Sequence, residues 1–231
     1  MYQSWGTLLF LHWPISATLL RPLIPERLSI DTFEGTAWIG ITPFTMWGIR
    51  PVLLPAIPLL STAHELNVRT YVHCNGVPGV WFLSLDASNP LVVVGARLAF
   101  HLPYFQAHMR LEEQGRTKHF TSHRTRSEPP PADFEVVWTQ GTTLPQAPPD
   151  SLEFFLTERY CLYTVWRDRL YRARIFHLPW SLCHATLSSY ASTMLEAHGL
   201  LTPSGRPLLH HQAIPLHVEI WPLQEIDVSG G

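Results

Sequence analysis

The sequence predicts an α+β protein dominated by β-strands, and two features lead to that prediction. Short runs of β-branched and aromatic residues, separated by Gly, Pro, Asn and Asp, fill the first half of the chain. The second half adds two or three segments with helical features. Hydrophobic residues make up 46% of the 231 residues and charged residues only 15%, against the usual quarter. The chain can therefore bury a large apolar core.

The strand predictions of the first half and the middle rest on composition and turn residues. Their regular spacing is typical of an antiparallel meander, sandwich or barrel. A hairpin is expected around Gly115, where the turn requires a positive φ. The predicted strands are 36–42, 66–73, 80–85, 91–94, 108–113, 118–124 and 134–139.

The second half is predicted to contain helices between its strands. Asp150 or Ser151 is suited to cap a helix over 152–163, with Glu153 in the first turn where the helix dipole favours a carboxylate. A strand hairpin is expected to turn near Asp168. A second helix is predicted over 179–199, ending at Gly199. The alternation in 213–222 predicts a final half-buried strand.

Composition and charge exclude several classes of function. The net charge is −2 and the pI about 6.7, with dispersed arginines, so no nucleic-acid partner is expected. The three cysteines form no CxxC pair, which favours a reducing compartment, and the protein is predicted to be cytoplasmic. Sequence motifs for phosphate loops and nucleophile elbows are absent, and no cofactor is expected.

The apolar N-terminal segment is not expected to be a membrane anchor or a signal peptide. Residues 1–20 carry no charge, but Trp5, His12 and Pro14 interrupt the run and the first basic residue is Arg21. The second apolar run, 51–60, contains three prolines that exclude a regular helix. No membrane association is therefore predicted.

The 13 histidines invite a metal-site interpretation. HExxH is absent, and no metal ligand set is predicted. His101, His108, His119 and His123 nevertheless lie close to a metal-binding barrel pattern. His119 and His123 share strand parity, so both side chains could point inward. A histidine–metal barrel protein stays open as an alternative.

Polar residues alternate with apolar residues along the strand predicted at 66–73. Glu65, Asn67, Arg69 and Tyr71 would share one face of that strand. This face is either the solvent side of a sheet or the wall of a cavity. In a cavity, such charges suit the binding of a small carboxylate or carbonyl compound. The sequence alone leaves both interpretations open.

An ordered set of blocks across the chain resembles one known family. QSWGTLLFLHWPI, ELNVRTYV, PGVWFLSLDA, ARLAFHLPY, HLPWSL and PLHVEIWPL are similar to blocks of the YqjF-like family of uncharacterised conserved bacterial proteins. The resemblance implies a single domain over 1–231. It also implies the fold of acetoacetate decarboxylase, a β-barrel or cone with a few peripheral helices and an internal cavity.

The resemblance to acetoacetate decarboxylases also bears on chemistry. In those enzymes an Arg and a Pro precede a lysine pair, and the first lysine forms a Schiff base with the substrate. Arg97 and Pro103 match this spacing, while Tyr104 and Phe105 occupy the lysine positions. A phenol and a phenyl ring cannot form an imine. The one lysine of the chain, Lys118, is expected on the surface, so an imine-forming decarboxylase is not predicted.

The preferred interpretation is a protein that binds a small anionic or carbonyl molecule in a barrel cavity. Tyr104 and Glu65 are the candidate catalytic residues. The candidate ligand-binding residues are Arg69, Arg97, Asn67 and Tyr71. Whether a reaction is catalysed stays open, and a homo-oligomer is compatible with the sequence.

The main alternative is a non-catalytic scaffold or interaction protein whose cavity is filled. Tyr104, Phe105, Trp81 and Phe82 are the aromatic residues that would fill it. A void of about 300 Å³ or more, with Tyr104, Glu65 and an Arg on its wall, would favour the binding interpretation.

Overall fold

The computed structural model describes residues 1–52, 55, 61–201 and 206–227. Fifteen strands, three α-helices and two 3-10 turns are formed by these residues. The strands are β1 (Tyr2–Gly6), β2 (Leu8–Ile15), β3 (Ser29–Ile30), β4 (Ala37–Arg50), β5 (Ala63–Cys74), β6 (Val77–Ala87), β7 (Tyr104–Gln114), β8 (Thr117–Arg124), β9 (Asp133–Thr143), β10 (Cys161–Trp166), β11 (Arg169–Phe176), β12 (Leu182–Ser192), β13 (Leu209–Ala213), β14 (Leu216–Ile220) and β15 (Gln224–Glu225). The α-helices are α1 (Ala17–Leu20), α2 (Pro90–Phe100) and α3 (Leu152–Thr157), and the 3-10 turns are Arg21–Leu23 and Glu196–His198.

The strand pairings close into two circuits that share β4, β5 and β6. One circuit runs β4, β5, β6, β10, β11, β14 and β1, and β1 pairs back onto β4. The other continues from β6 through β7, β8, β9, β12, β13 and β2 to β4. The β-dominated fold class is confirmed. The pairing is not wholly antiparallel, because β6 pairs in parallel with both β7 and β10.

The shared strands are buried on both faces. On β5, Leu66 and Val68 belong to the largest apolar cluster, while the alternate residues face the other side, as the period of two requires. The β5–β6 ladder contains a bulge, because Val68 pairs with Ser84 but Arg69 pairs with Phe82. The extra residue, Leu83, belongs to β6, so the alternation along β5 is unbroken. Glu65 and Asn67 are buried as well as Leu66 and Val68, so both faces of β5 are interior and the solvent-face interpretation of this strand is wrong.

Most predicted elements are present, with two errors of type. The Gly115 turn has φ +60° and the second hairpin turns at Asp168, φ +59°. The predicted strand 91–94 is instead the start of α2, since the Asn89 side chain accepts the Leu91 N–H at the N-cap and Pro90 occupies the first turn. These start signals precede a valine run of high strand propensity.

The predicted helix 179–199 is mainly the strand β12. Cys183, Ala185 and Leu187 are buried there and alternate with exposed residues, a period of two that decides for a strand. The earlier helix is also shorter than expected. α3 begins as expected, since the Ser151 hydroxyl caps it by accepting the Phe154 N–H. It ends at Thr157, six residues before the predicted end. The expected final strand over 213–222 is present as the shorter β14, and β13, which precedes it, was not predicted.

On β8 the even-numbered side chains face inward, whereas the sequence allowed His119 and His123 to point inward. Lys118 is only 6% exposed, so the predicted surface lysine is wrong. Lys118, Phe120 and Arg124 share the buried face of β8. The intervening histidines face outward, where His119 contacts Glu135.

No helix among the described residues combines the length and apolarity that crossing a membrane requires. Only residues 51, 52 and 55 of the second apolar run, 51–60, are described, so the expectation for that run lies mostly outside the described residues.

A buried ion pair joins β6 to β8. The Arg124 guanidinium donates to Asp86 through Nε at 2.9 Å and through Nη2 at 2.7 Å. Both side chains are 0% exposed. Arg124 also donates to the Pro130 carbonyl and lies over the Phe105 ring. Burial raises the pKa of Asp86, and the hydrogen bonds and charge of Arg124 oppose that shift. Each of the two buried charges therefore compensates the other without contact with water.

We predict that breaking this pair on one side is costly. Asp86→Asn leaves the Arg124 charge buried without a counter-charge, and the free energy of unfolding should fall by about 3–5 kcal/mol. Urea denaturation measures it. The double variant Asp86→Leu/Arg124→Met should lose much less, because no isolated charge remains. As a surface control, Glu112→Gln breaks the exposed pair with Arg110 and should cost under about 1 kcal/mol. A single Asp86→Asn loss as small as the control would contradict the prediction.

Candidate functional site

The passage from α2 into β7 positions Tyr104. The helix ends at His101, which has φ +51°, and the chain then pairs in parallel with β6, so that Tyr104 lies beside Leu85. The Arg97 Nε donates to the Tyr104 carbonyl at 2.8 Å. Leu85 donates its N–H to Pro103. The sequence ARLAFHLPYF is therefore a helix end and a strand start tied together, not a continuous strand.

The Tyr104 side chain forms a hydrogen bond with a buried carboxylate. Its hydroxyl donates to Glu65 Oε2 at 2.6 Å. The Asn67 Nδ2 lies 3.5 Å from Glu65 Oε1, a long contact. Glu65 is 3% exposed. These two side chains supply the polar contacts of Glu65 in the described part of the chain, and neither carries a positive charge.

The electrostatics of the pair follow from this burial. Desolvation raises the pKa of Glu65 from 4.5 to about 7, although the hydrogen bonds from Tyr104 and Asn67 oppose the shift. Desolvation also raises the pKa of Tyr104 well above 10.0, and the negative charge of Glu65 adds to it. Near neutral pH the phenol therefore keeps its proton, while the carboxyl exchanges between its two forms. A carboxyl with a pKa near 7 is suited to act as an acid or a base.

Glu65 and Tyr104 lie on the wall of a cavity of about 310 Å³. This volume falls at the lower end of the range of small-molecule sites. Asn67 and Arg69 of β5 are on the same wall, and α2 covers one side with Val92, Ala96 and Phe100. Most of the remaining lining is apolar or aromatic. A few polar groups in apolar surroundings are the typical composition of a ligand site.

Several polar atoms on this wall have no hydrogen-bond partner among the residues that the structure describes. They are the indole Nε1 of Trp5, Oγ1 of Thr42, Oδ1 of Asn67 and Nε of Arg69. Thr42 and Asn67 are buried. A buried polar atom without a partner costs free energy, and most such atoms in proteins are satisfied. A group that enters the cavity could supply the missing contacts.

The two arginines of the cavity wall differ in their partners. The Arg159 Nη1 donates to Asp31 at 2.6 Å, so its charge is compensated. Among the described residues, Arg69 forms no ion pair. The Arg69 Nη2 donates a hydrogen bond to the Leu156 carbonyl at 3.3 Å. Its guanidinium lies over the Phe10 ring at 5.1 Å. Arg69 is therefore a cation with spare hydrogen-bonding capacity.

Two predicted ligand-binding residues do not line the cavity. The Arg97 side chain is exposed and forms an ion pair with Glu128 at 2.7 Å. The Tyr71 hydroxyl is buried away from the wall, where it bonds His12 Nε2 at 2.7 Å and donates to the Leu156 carbonyl at 2.9 Å. Both residues contact the site from outside the cavity. Arg97 holds the backbone carbonyl of Tyr104, and the ring of Tyr71 lies 5.9 Å from the guanidinium carbon of Arg69.

The four aromatic residues expected to fill a closed cavity do not lie together: two line the cavity and two do not. Tyr104 and Phe82 line the cavity, but Phe105 faces the other side, under the Arg124 guanidinium at 4.1 Å. The Trp81 indole donates to the Leu23 carbonyl. The cavity is thus not filled by this set. Lys118, on the inward face of β8, is not part of the cavity wall.

Sequence reasoning missed part of the wall. Arg159 follows α3, and its Nε donates to the Phe155 carbonyl at 2.7 Å. Trp5, Phe10, Phe44 and Trp180 supply aromatic surface. Their sequence signal is only that of buried aromatic residues, which does not separate a cavity wall from a packed core.

The histidines of β7 and β8 do not form a metal site in the described residues. His123 contacts Asp133, and His119 contacts Glu135 at 2.8 Å. His101 stacks on Trp166 with ring centroids 4.4 Å apart. No cluster of three or more His, Cys, Asp or Glu side chains suited to a metal ion occurs in the described ranges.

Comparison with known proteins places the sequence in a family. A model of the DUF2071 family, described as an uncharacterized conserved protein, matches residues 2–214. The chain belongs to this family. It is 42% identical over 225 residues to the uncharacterized protein YqjF of Bacillus subtilis (strain 168), covering 97% of this chain and 92% of that protein. The family that the sequence blocks resemble is thereby confirmed.

Solved structures of low sequence identity share the fold of this DUF2071 chain. The enduracididine biosynthesis enzyme MppR, complexed with pyruvate, superposes with a TM-score of 0.68 at 10% identity, covering 99% of this chain and 91% of that chain. Acetoacetate decarboxylase from Legionella pneumophila gives a TM-score of 0.64 at 11% identity, with 98% and 87% covered. An acetoacetate decarboxylase-like enzyme from Sphingomonas wittichii RW1 also gives 0.64, at 10% identity, with 98% and 92% covered. The predicted decarboxylase-like fold is confirmed.

The buried carboxyl of Glu65 predicts a specific dependence of stability on pH. Its pKa is about 7 in the folded chain, against 4.5 for the ordinary group. Between these pH values the folded state holds more protons than the unfolded state. The contribution of Glu65 to the free energy of unfolding is therefore fully present below about pH 4.5 and is lost as the pH rises through 7. The total loss is roughly 3 kcal/mol.

Urea denaturation of wild type and Glu65→Gln between pH 4.5 and 8 measures this effect. The difference in unfolding free energy between the two proteins should decline with pH. Buried histidines such as His198, whose pKa burial lowers to about 4, contribute to both proteins and cancel. The exposed Glu26→Gln serves as control. Parallel pH profiles for wild type and Glu65→Gln would exclude a raised Glu65 pKa.

Proposed function

We propose that this protein binds a small molecule with an anionic or carbonyl group in the cavity between β5 and α2. The observation that carries the proposal is the set of polar groups on an otherwise apolar wall. Glu65 and Tyr104 form one polar centre, and Arg69 offers an uncompensated cation on the same face of β5. Asn67 lies between them in sequence and has a free carbonyl oxygen.

The open volume supports binding over the alternative of a filled scaffold. At about 310 Å³ the cavity has room for a small ligand. The unpartnered Trp5, Thr42, Asn67 and Arg69 atoms also require partners that the described chain does not provide. A ligand with polar groups would replace water at these atoms.

Chemistry at this site would not use a lysine imine. The one lysine of the chain is Lys118, which lies on β8 and not on the cavity wall, so the wall carries no side-chain primary amine. Glu65 would transfer protons, because its pKa is about 7. Tyr104 would hold the Glu65 carboxylate and donate its hydrogen bond to the ligand when Glu65 is protonated. Arg69 would hold a negative charge.

A thermal-shift screen tests ligand binding. Wild type and Tyr104→Phe are tested against small keto acids, hydroxy acids and lipophilic carbonyl compounds. At a ligand concentration 100 times Kd, binding should add about 2.7 kcal/mol to the unfolding free energy, a shift of several degrees. Tyr104→Phe should reduce the shift. Absence of any shift in wild type would contradict the proposal, and equal shifts in both proteins would remove Tyr104 from the site.

A cavity-filling variant tests the location. Ala96→Phe places a ring on the cavity side of α2 and should abolish the ligand shift by occupying the space. Val94→Phe places the same ring on the same helix at an exposed position and should leave the shift unchanged. The melting temperatures without ligand verify that both variants fold. Ligand shifts that survive in Ala96→Phe would place the site elsewhere.

A further inference from the structure

Four aromatic side chains form a continuous surface on the cavity wall, here called the aromatic wall: Trp5, Phe10, Phe44 and Trp180. The ring centroids of Trp5 and Phe44 are 5.3 Å apart, and those of Trp5 and Trp180 are 6.2 Å apart. Phe10 meets Trp180 edge to face at 5.5 Å and 84°. These distances lie in the range of favourable ring contacts.

The aromatic wall adjoins the uncompensated cation of the cavity. The Arg69 guanidinium carbon lies 5.1 Å from the centroid of Phe10. The Arg69 Nε has no hydrogen-bond partner in the described part of the chain. The indole Nε1 of Trp5, whose ring is joined to that of Phe10 through Trp180, is likewise without a partner among the described residues. Apolar ring surface and unused donors therefore occur together on one part of the wall.

From this juxtaposition we infer that the ligand is an aromatic carboxylic acid. Its ring packs against the aromatic wall, and its carboxylate accepts hydrogen bonds from Arg69. The inference rests on the proposed function and names the class of molecule that the site would take. A guanidinium offers a carboxylate two parallel donors, which a neutral carbonyl cannot use equally well.

The charge on the wall favours an acid over a cation. Aromatic surfaces also attract cationic ligands. Here the Arg69 cation already lies against Phe10, so a cationic ligand would meet a like charge on a mostly apolar wall. The Glu65 carboxyl offers a cation few free acceptor atoms, because both of its oxygens already accept hydrogen bonds from Tyr104 and Asn67, and near neutral pH it is partly protonated.

The volume of the cavity limits the size of the acid. A space of about 310 Å³ equals that of about ten water molecules. One ring with a side chain of two or three carbons is of this size, whereas a long fatty acid is not. Packing one ring on others adds a preference of roughly two- to tenfold in affinity over a saturated ring of similar area.

Isothermal titration calorimetry on the full chain with three matched compounds tests the inference. 3-Phenylpropanoate carries the ring and the charge, 3-cyclohexylpropanoate lacks the aromaticity, and 3-phenylpropanamide lacks the charge. We expect the first to bind roughly two- to tenfold more tightly than the second and at least about tenfold more tightly than the third. These comparisons need no variant, so they do not depend on the folding of an altered protein.

Two variants assign the preferences to residues. Arg69→Met should remove the preference for the acid over the amide, while Phe44→Leu should reduce the preference for the aromatic ring. Arg110→Met, at an exposed arginine on β7, is the matched control and should leave both preferences unchanged. Equal changes in Arg69→Met and Arg110→Met would overturn the role of Arg69.

The outcomes separate this inference from the proposed function. Equal binding of the phenyl and cyclohexyl acids, or of the acid and the amide, would overturn the inference. So would binding of keto or hydroxy acids from the thermal-shift screen without binding of the phenyl acid, and the proposed function would then stand. If no compound of either set binds, both are overturned.

Discussion

The burial of β5 on both faces is the constraint on which the rest of the structure depends. Two closed circuits of strands share β4, β5 and β6. One face of β5 adds Leu66 and Val68 to the largest apolar cluster, so its alternate residues, including Glu65 and Arg69, must point into the other interior. Polar groups placed there have to find partners within the protein or in a ligand. The cavity and its polar centre follow from that requirement.

Buried carboxyl groups have different partners on the two sides of the shared strands. On the side of β8, Asp86 is matched by two hydrogen bonds from Arg124, an arrangement that leaves neither group available for chemistry. On the cavity side, Glu65 has a phenol donor at 2.6 Å and no cationic partner among the described residues, and burial raises its pKa to about 7. A buried carboxyl is thus part of an ion pair at one site and is held by neutral donors at the other. This difference explains why Glu65, and not Asp86, is the candidate functional acid.

The alternation along β5 was sufficient to predict Glu65, Asn67 and Arg69 as a set, because a strand of period two must put them on one face. The facing of that set could not be predicted, since it depends on strand pairings distant in sequence. Lys118 shows the same limit: its neighbours on β8 have no apolar alternation strong enough to fix the parity. The spacing of Arg97 to Pro103 could not predict its role, since its position on α2 turns its guanidinium outward to Glu128. The strand predicted at 91–94 is wrong because the Asn–Pro start signal decides for a helix over the valines that follow. The aromatic wall has the composition of an ordinary core, so only the fold separates it from one.

The central claim is that Glu65 is a buried carboxyl held by Tyr104 on the wall of the cavity. The most direct measurement is a carbon-13 NMR titration of side-chain glutamate carboxyls, with Glu65→Gln used to assign the resonance. We expect Glu65 to titrate near pH 7 in wild type, in accord with its raised pKa. In Tyr104→Phe it should titrate at higher pH, because the hydrogen bond that stabilises the carboxylate is lost. Titration near the ordinary value of 4.5 in both proteins would contradict the claim.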